Sequence, residues 1–343
     1  MREATPARVM RMIWRALCIR LLATLAAVVV ALPADAFDLQ GHRGARGLAP
    51  ENTLPAFARA LSIGVTTLEL DIGLSRDGVV VVAHDPALNP DITRGPDGQY
   101  LAGPGPTIAA LTLAEIKRYD VGRIKPGTRY SEQFPEQQPV DGARIPALVE
   151  VFDLARRAGN EAVRFNIETK INPEKPELTE SPEAMTDALV RTVRDAEMAA
   201  RVTIQSFDWR TLRRVQSLAP EIATVYLTIE SRSLDNLRRG LAGASPWTAG
   251  LDIDEHGGST PKLVKAAGGA VWSPFFRNLT QATLAEAKAL GLKVVPWTVN
   301  APEDMAQMIE LGVDGIITDR PDRLREVATA RGVALPRPTS VAP

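Results

Sequence analysis

Four short stretches set ionisable side chains at spacings that chemistry can use. Gly41-His42-Arg43-Gly44 places a histidine beside an arginine. In "TTLELDI", Glu69 and Asp71 stand two residues apart. On a strand they project from one face, while Leu68, Leu70 and Ile72 take the other. Two carboxylates on an inward face repel each other and are costly to desolvate. A divalent cation relieves both problems, and carboxylate oxygens suit Mg²⁺ or Ca²⁺. "VVVVAHDP" ends an apolar run with His84 and Asp85. An imidazole, with an unperturbed pKa of about 6.5, suits proton transfer near neutral pH. "VRFNIETK" puts Asn166, Glu168 and Lys170 on one face, a third carboxylate with the ammonium that a phosphate group needs. Singly, each has an ordinary reading: a surface histidine, a charged strand edge, a solvated lysine. Taken together they supply what metal-assisted phosphoryl transfer requires.

These residues need a scaffold that gathers strand ends. Short β-rich runs are expected at Asp38–Gly41, Thr66–Ile72, Val79–Ala83, Ala162–Glu168, Val202–Gln205, Ile222–Leu227, Ala270–Trp272, Lys293–Trp297 and Gly315–Thr318. Helical patterns separate them at Thr53–Ser62, Leu148–Ala158, Pro182–Ala199, Trp209–Leu218, Thr260–Ala267, Leu279–Leu290 and Pro302–Leu311. Ser181-Pro182 opens one helix, and Gly64, Gly159, Gly291 and Gly312 close others. Strand–helix alternation predicts a parallel sheet. About eight such units over some 300 residues fit an α/β fold of the TIM-type (β/α)8 barrel, whose active sites lie at the carboxyl ends of the strands. A doubly wound open sheet is the competing architecture, but no GxGxxG follows the first strand. Residues 86–146 interrupt the rhythm with Pro- and Gly-rich text around one amphipathic piece, "LTLAEIKRYD". This segment reads as a loop insertion after the second barrel strand, without a core of its own. Residues 331–343 read as a tail after a 37–330 domain.

The first 36 residues have a different character. Five arginines precede the apolar run Leu21–Leu32, and small residues follow at Ala34 and Ala36. That pattern is a secretory signal peptide, cleaved after Ala36, and the uncharged run is shorter than the ~20 residues needed to span a bilayer. Export to the periplasm or medium, with no membrane anchor after cleavage, is the expectation. Cleavage removes five of the 40 Lys and Arg and two of the 41 Asp and Glu, leaving a net charge of −4. It also removes Cys18, the sole cysteine, so cysteine nucleophiles and disulfides are excluded. The charge and the 5% aromatic content give no sign of a nucleic-acid surface.

The blocks "GHRG", "PENT", "ELDI", "AHD", "IETK", "QSF", "PWTVN" and "GVDGIITDRP" occur in order between Leu39 and Pro321. In sequence and spacing they resemble the glycerophosphodiester phosphodiesterases. The resemblance implies a metal-dependent barrel enzyme hydrolysing glycerophosphodiesters to sn-glycerol 3-phosphate and an alcohol. It implies His42 and His84 as the acid–base pair and Glu69, Asp71 and Glu168 as ligands of one Ca²⁺ or Mg²⁺. By the same resemblance Arg43 and Lys170 face the phosphate, Gln205 and Trp297 line the pocket, and Glu51 of "PENT" supports Arg43 or the metal. Which histidine is acid and which is base, and whether water or a glycerol hydroxyl attacks, stay open at this stage.

Some residues fall outside the blocks. The insertion follows His84 directly and has the place of a lid, with Arg94, Arg129 and Tyr130 as contacts if they are not simply solvated. His256 in "LDIDEHGGS" reads as a loop histidine, with Asp252 and Asp254 nearby. Two other functions share the residue pattern. A phospholipase D-like enzyme on the same barrel needs an apolar surface, and the insertion offers only scattered Tyr100, Tyr130 and Phe134. A periplasmic protein that binds phosphodiesters without cleaving them has no use for two histidines at strand ends.

Overall fold

A computed structural model describes residues 36–343; the expected signal peptide, save Ala36, lies outside the described residues. Eight parallel strands form the barrel wall: β1 (Asp38–Gly41), β2 (Thr67–Leu74), β4 (Arg164–Thr169), β5 (Val202–Ser206), β6 (Ala223–Thr228), β7 (Val271–Pro274), β8 (Lys293–Val294) and β9 (Gly315–Thr318). The order runs β8-β7-β6-β5-β4-β2-β1-β9. The seam between β8 and β9 is bridged by single backbone bonds, Asp314 N–H to Val294 O at 2.9 Å and Ile317 N–H to Pro296 O at 3.0 Å. The expected run Lys293–Trp297 therefore yields a strand of only two residues, because Pro296 removes a ladder donor.

One expected barrel strand is something else. β3 (Val80–Val82) pairs antiparallel with β2, matching Ile72 to Val82 and Leu74 to Val80. Only five residues separate the two strands, whereas a parallel crossover takes a dozen or more. A tight turn closes them, with Gly78 N–H donating to Ser75 O and Gly78 at φ +77°. β2 thus rises above the barrel rim and β3 brings the chain back down, with Ala83 N–H reaching Asp71 O at 3.0 Å.

Outward side chains of the strands bury under helices, giving one large core that includes Leu39, Leu68, Leu70, Ile167 and Ile204. The insertion has a small apolar cluster after all: Leu88, Ile108, Ile116, Val121 and Ile145 close around Val81 of β3. A helix at Pro321–Ala330 was not expected; Pro321 at its first turn starts it, and Leu324 and Ala328 are buried beneath it. The helix expected over Pro182–Ala199 stops at Asp195. The tail returns to the barrel through Thr339 N–H to Leu61 O at 2.9 Å. No described helix is long and apolar enough to cross a membrane.

The turn after β1 needs a glycine. Gly44 has φ +85°, and a Cβ there would lie 2.7 Å from the Ala56 carbonyl carbon. Gly44→Ala is expected to cost more than ~1 kcal/mol, the ordinary scale of a Gly-to-Ala effect, because both strain and overlap oppose it. Chemical denaturation of the two proteins measures this; equal midpoints would refute it.

Candidate active site

The parallel register assembles the acidic centre. β2 and β4 pair Asp71 with Glu168 and Glu69 with Asn166, and β4 and β5 pair Glu168 with Gln205. Inward side chains of three neighbouring strands therefore meet at the carboxyl rim. One oxygen each from Glu69, Asp71 and Glu168 lie within 4.8 Å of one another. Deeper in the barrel, Asn166 Nδ2 donates to Gln40 Oε1 at 2.9 Å and to Gln205 Oε1 at 2.8 Å. That leaves Gln205 Nε2 to donate to Glu69 Oε1 at 2.7 Å, so Gln205 orients a carboxylate as well as lining the cavity.

The electrostatics of the trio are those of a vacant-charge problem. Burial, then the charge of Asp71, pushes Glu69 well above the usual carboxylate range. Burial raises Glu168 to about 7, although Lys170 opposes it. Asp71 stays well below its usual range because Arg43 and neighbouring cations outweigh its burial. Asp71 Oδ1 is buried without a hydrogen-bond partner among the described residues. Three oxygen donors, mutual repulsion and an unpartnered carboxylate oxygen fit a hard divalent cation.

The β1 loop carries the next layer. Arg43 sits at φ +49° and Asn52 at φ +54°, conformations that side-chain-bearing residues rarely adopt. Arg43 N–H donates to Glu69 Oε2 at 2.8 Å, Asn52 N–H to Arg43 O at 3.0 Å, and Asn52 Nδ2 to Asp71 Oδ2 at 2.9 Å. The guanidinium of Arg43 donates to Glu51 Oε1 at 2.6 Å and lies 3.2 Å from Asp71 Oδ2. Lys170 donates to Glu168 at 2.7 Å and stands 3.9 Å from Asp71.

Both histidines are anchored in the same way. His42 Nδ1 lies 2.6 Å from Asp319 Oδ1, and His84 Nδ1 lies 2.7 Å from Asp85 Oδ1. An ionised carboxylate only accepts, so each Nδ1 carries a proton and each Nε2 is left for the reaction, a base in the neutral ring and an acid in the imidazolium. Burial, then the charge of Arg46, lowers His42 to about 4; burial, then Arg43, lowers His84. His42, His84, Arg43, Glu69, Lys170 and Trp297 share a cavity of about 510 Å³. His84 enters it from β3, descending against the direction of the barrel strands.

Several participants were not singled out from the sequence. Asp319 accepts from His42, from Arg46 Nε at 2.9 Å and from Asn300 Nδ2 at 2.7 Å. Phe207 meets Trp297 edge-on at 5.3 Å. Of the three insertion contacts expected, Tyr130 reaches the site, where its hydroxyl donates to Glu51; Phe134, not among them, lays its ring 4.6 Å from the Arg46 guanidinium carbon. Arg94, in contrast, pairs with Asp120 and Asp141 within the insertion; Arg129 is exposed. His256 occupies the short turn Asp254–His256 and lines neither the catalytic cavity nor the chamber beside it.

The family is now decided by comparison. Residues 42–323 match the glycerophosphoryl diester phosphodiesterase family model. The chain belongs to this family of enzymes. A glycerophosphodiester phosphodiesterase of Caldanaerobacter subterraneus is 32% identical over 82% of this chain and 94% of its own length. A crystal structure of a family protein from Silicibacter pomeroyi, described as putative, superposes with a TM-score of 0.78 at 36% identity, covering 88% of this chain and 96% of that one. An Oleispira antarctica phosphodiesterase, solved with its product sn-glycerol-3-phosphate, shares the fold at a TM-score of 0.61 and 23% identity, over 86% and 97% of the two chains.

Within the family frame, the Tyr130–Glu51–Arg43 chain has a measurable consequence. Tyr130→Phe is expected to lower kcat/KM about tenfold, the scale of one hydrogen bond to a charged group, with the fold retained. Steady-state kinetics beside a circular dichroism spectrum test it; unchanged kcat/KM would leave Tyr130 outside the site's support.

Proposed function

We propose that this chain is an exported, metal-dependent enzyme that hydrolyses glycerophosphodiesters, such as glycerophosphocholine or glycerophosphoethanolamine, to sn-glycerol 3-phosphate and an alcohol. The observation that carries the reading is two carboxylate-anchored histidines facing a buried trio of carboxylates across one cavity. The product held by the Oleispira enzyme is consistent with this choice. Export rests on the arginine-led apolar segment within residues 1–36.

Glu69, Asp71 and Glu168 would hold the cation, Ca²⁺ or Mg²⁺, which when bound supplies a positive charge beside the phosphodiester's anionic oxygens. Arg43 and Lys170 add fixed positive charge at the same cavity, aimed at charge that grows in the transition state. One histidine Nε2 takes a proton from the attacking hydroxyl while a phosphorus–oxygen bond forms. The bond from phosphorus to the alcohol oxygen breaks, and the other histidine, entering the step as an imidazolium, gives its Nε2 proton to that oxygen. Asp319 and Asp85 keep the two rings oriented throughout. Incubation of the purified protein with glycerophosphocholine and each cation should release glycerol 3-phosphate, scored by a coupled dehydrogenase. Binding of the diester without release would replace this reading by a carrier function.

A further inference from the structure

Next to the catalytic cavity lies a second, larger one that, with the open solvent at its mouth included, spans about 1050 Å³. Its wall away from the catalytic residues is mostly apolar, led by Ile171, Leu178, Ile229, Leu234 and Trp247, with Asn172, Thr179 and Ser233 as polar interruptions. None of these belongs to the blocks that carry the family resemblance. They come from the loops after β4 and β6, so the chamber opens on the catalytic face. His84, Glu168, Lys170, Phe207 and Trp297 line both cavities, whereas His42, Arg43 and Arg46 line only the polar one. The loops are built, not slack. Asn236, fully buried, takes a bond from Ile229 N–H at 2.9 Å and gives one to Leu227 O at 3.0 Å. An ion pair between Glu174 and Arg238 joins one loop to the other.

We infer that the chamber receives the alcohol half of the substrate, and that the preferred alcohol is apolar, an alkyl or acylglyceryl group. This rests on the phosphodiesterase reading above and deepens it. A phosphate at the junction of the two cavities directs glycerol phosphate toward His42 and Arg43, and the ester alcohol into the chamber. Aromatic walls also suit a quaternary ammonium, but the charges here do not. Asp85 is spent on His84 and Asn89, Glu168 on Lys170, and the Lys170 ammonium itself borders the chamber and sits 5.9 Å over the Phe207 ring. A cationic headgroup would meet a like charge with no free carboxylate. The placement also divides the proton transfers. His42 takes the proton of the attacking hydroxyl as its oxygen bonds to phosphorus; His84, which borders the chamber and enters the step as an imidazolium, gives its Nε2 proton to the departing alcohol oxygen as that P–O bond breaks.

The test uses sn-glycerol 3-phosphate esters of ethanol, butanol and hexanol, with the choline ester and its neutral isostere, the 3,3-dimethylbutyl ester. In the full mature enzyme, kcat/KM should rise about fourfold for each methylene buried. The dimethylbutyl ester should be turned over faster than the choline ester. Leu234→Asp should flatten the hexyl-to-ethyl ratio. A flat series in the wild-type enzyme, or a faster choline ester, overturns the chamber assignment while leaving the phosphodiesterase reading standing. Release of glycerol phosphate from none of the esters overturns both.

Discussion

Replacing His42 with alanine is expected to lower turnover at least ~100-fold, the usual contribution of a positioned acid or base. The loss follows from the ring's surroundings. His42 is fixed at Nδ1 by Asp319, and its Nε2 lies 3.9 Å from Glu69 Oε2, at the edge of the acidic centre. Its neighbours offer no substitute base: the Gln205 amide nitrogen only donates, and Arg43 and Arg46 are held as cations by Glu51 and Asp319. Asp319→Asn should also slow the reaction, because an amide can present either a donor or an acceptor and no longer fixes the tautomer. If the two act as one unit, the double variant should be little worse than His42→Ala alone. Turnover of the three proteins on one diester measures this. Additive losses would mean that Asp319 acts on something other than the histidine, and an unimpaired His42→Ala would remove that residue from the reaction.

The second large effect concerns the cation. Three buried carboxylates in one 4.8 Å cluster oppose folding unless charge is supplied or protons are retained. A chelated protein should therefore be inactive and less stable than the loaded one. Cation at 100 times its dissociation constant stabilises the folded state by about 2.7 kcal/mol. At roughly 2–4 °C per kcal/mol for a domain of a few hundred residues, that is a midpoint rise of about 5–10 °C. Asp71→Asn, at the carboxylate whose Oδ1 is unpartnered, should abolish most of that rise and nearly all turnover. Thermal melts with and without Ca²⁺ or Mg²⁺ give the answer independently of catalysis. Identical melts would mean that the trio binds no cation.

The barrel was legible because its grammar is local. Alternating apolar strands, helix caps and closing glycines sit within a few residues of the elements they mark. Glu69 and Asp71 were readable as one face because period two needs no partner strand. What failed was direction: "VVVV" looks the same parallel or antiparallel, and only the five-residue gap before it showed that no crossover fits. The support of the histidines was invisible for another reason. Asp319 stands in a quoted block and Arg46 just after one, but 273 residues separate them, and in the sequence each passes for a surface charge. Tyr130 could be named as a contact only for its place in the insertion, and Phe134 not even so, because a loop has no periodicity to point with. The apolar chamber left no trace in the sequence for the same reason, its wall being single residues from two loops.

The hairpin of β2 and β3 has one more implication, for how such enzymes diversify. Val82 N–H donates to Pro146 O at 2.8 Å, and Val81 bridges to Ala147. The chain leaves for the insertion just after β3 and returns against that same strand, so the two ends of the 86–146 excursion are pinned side by side. Closing a loop of a different length between fixed ends changes its entropy by only about 0.6 kcal/mol per doubling. His84 stands on the barrel side of that splice, held by Ala83 against Asp71. A change of length within the excursion should therefore cost little in closure entropy and leave the second histidine in register with the acidic strand, so long as the packing on Val81 and the hydroxyl at Glu51 are kept.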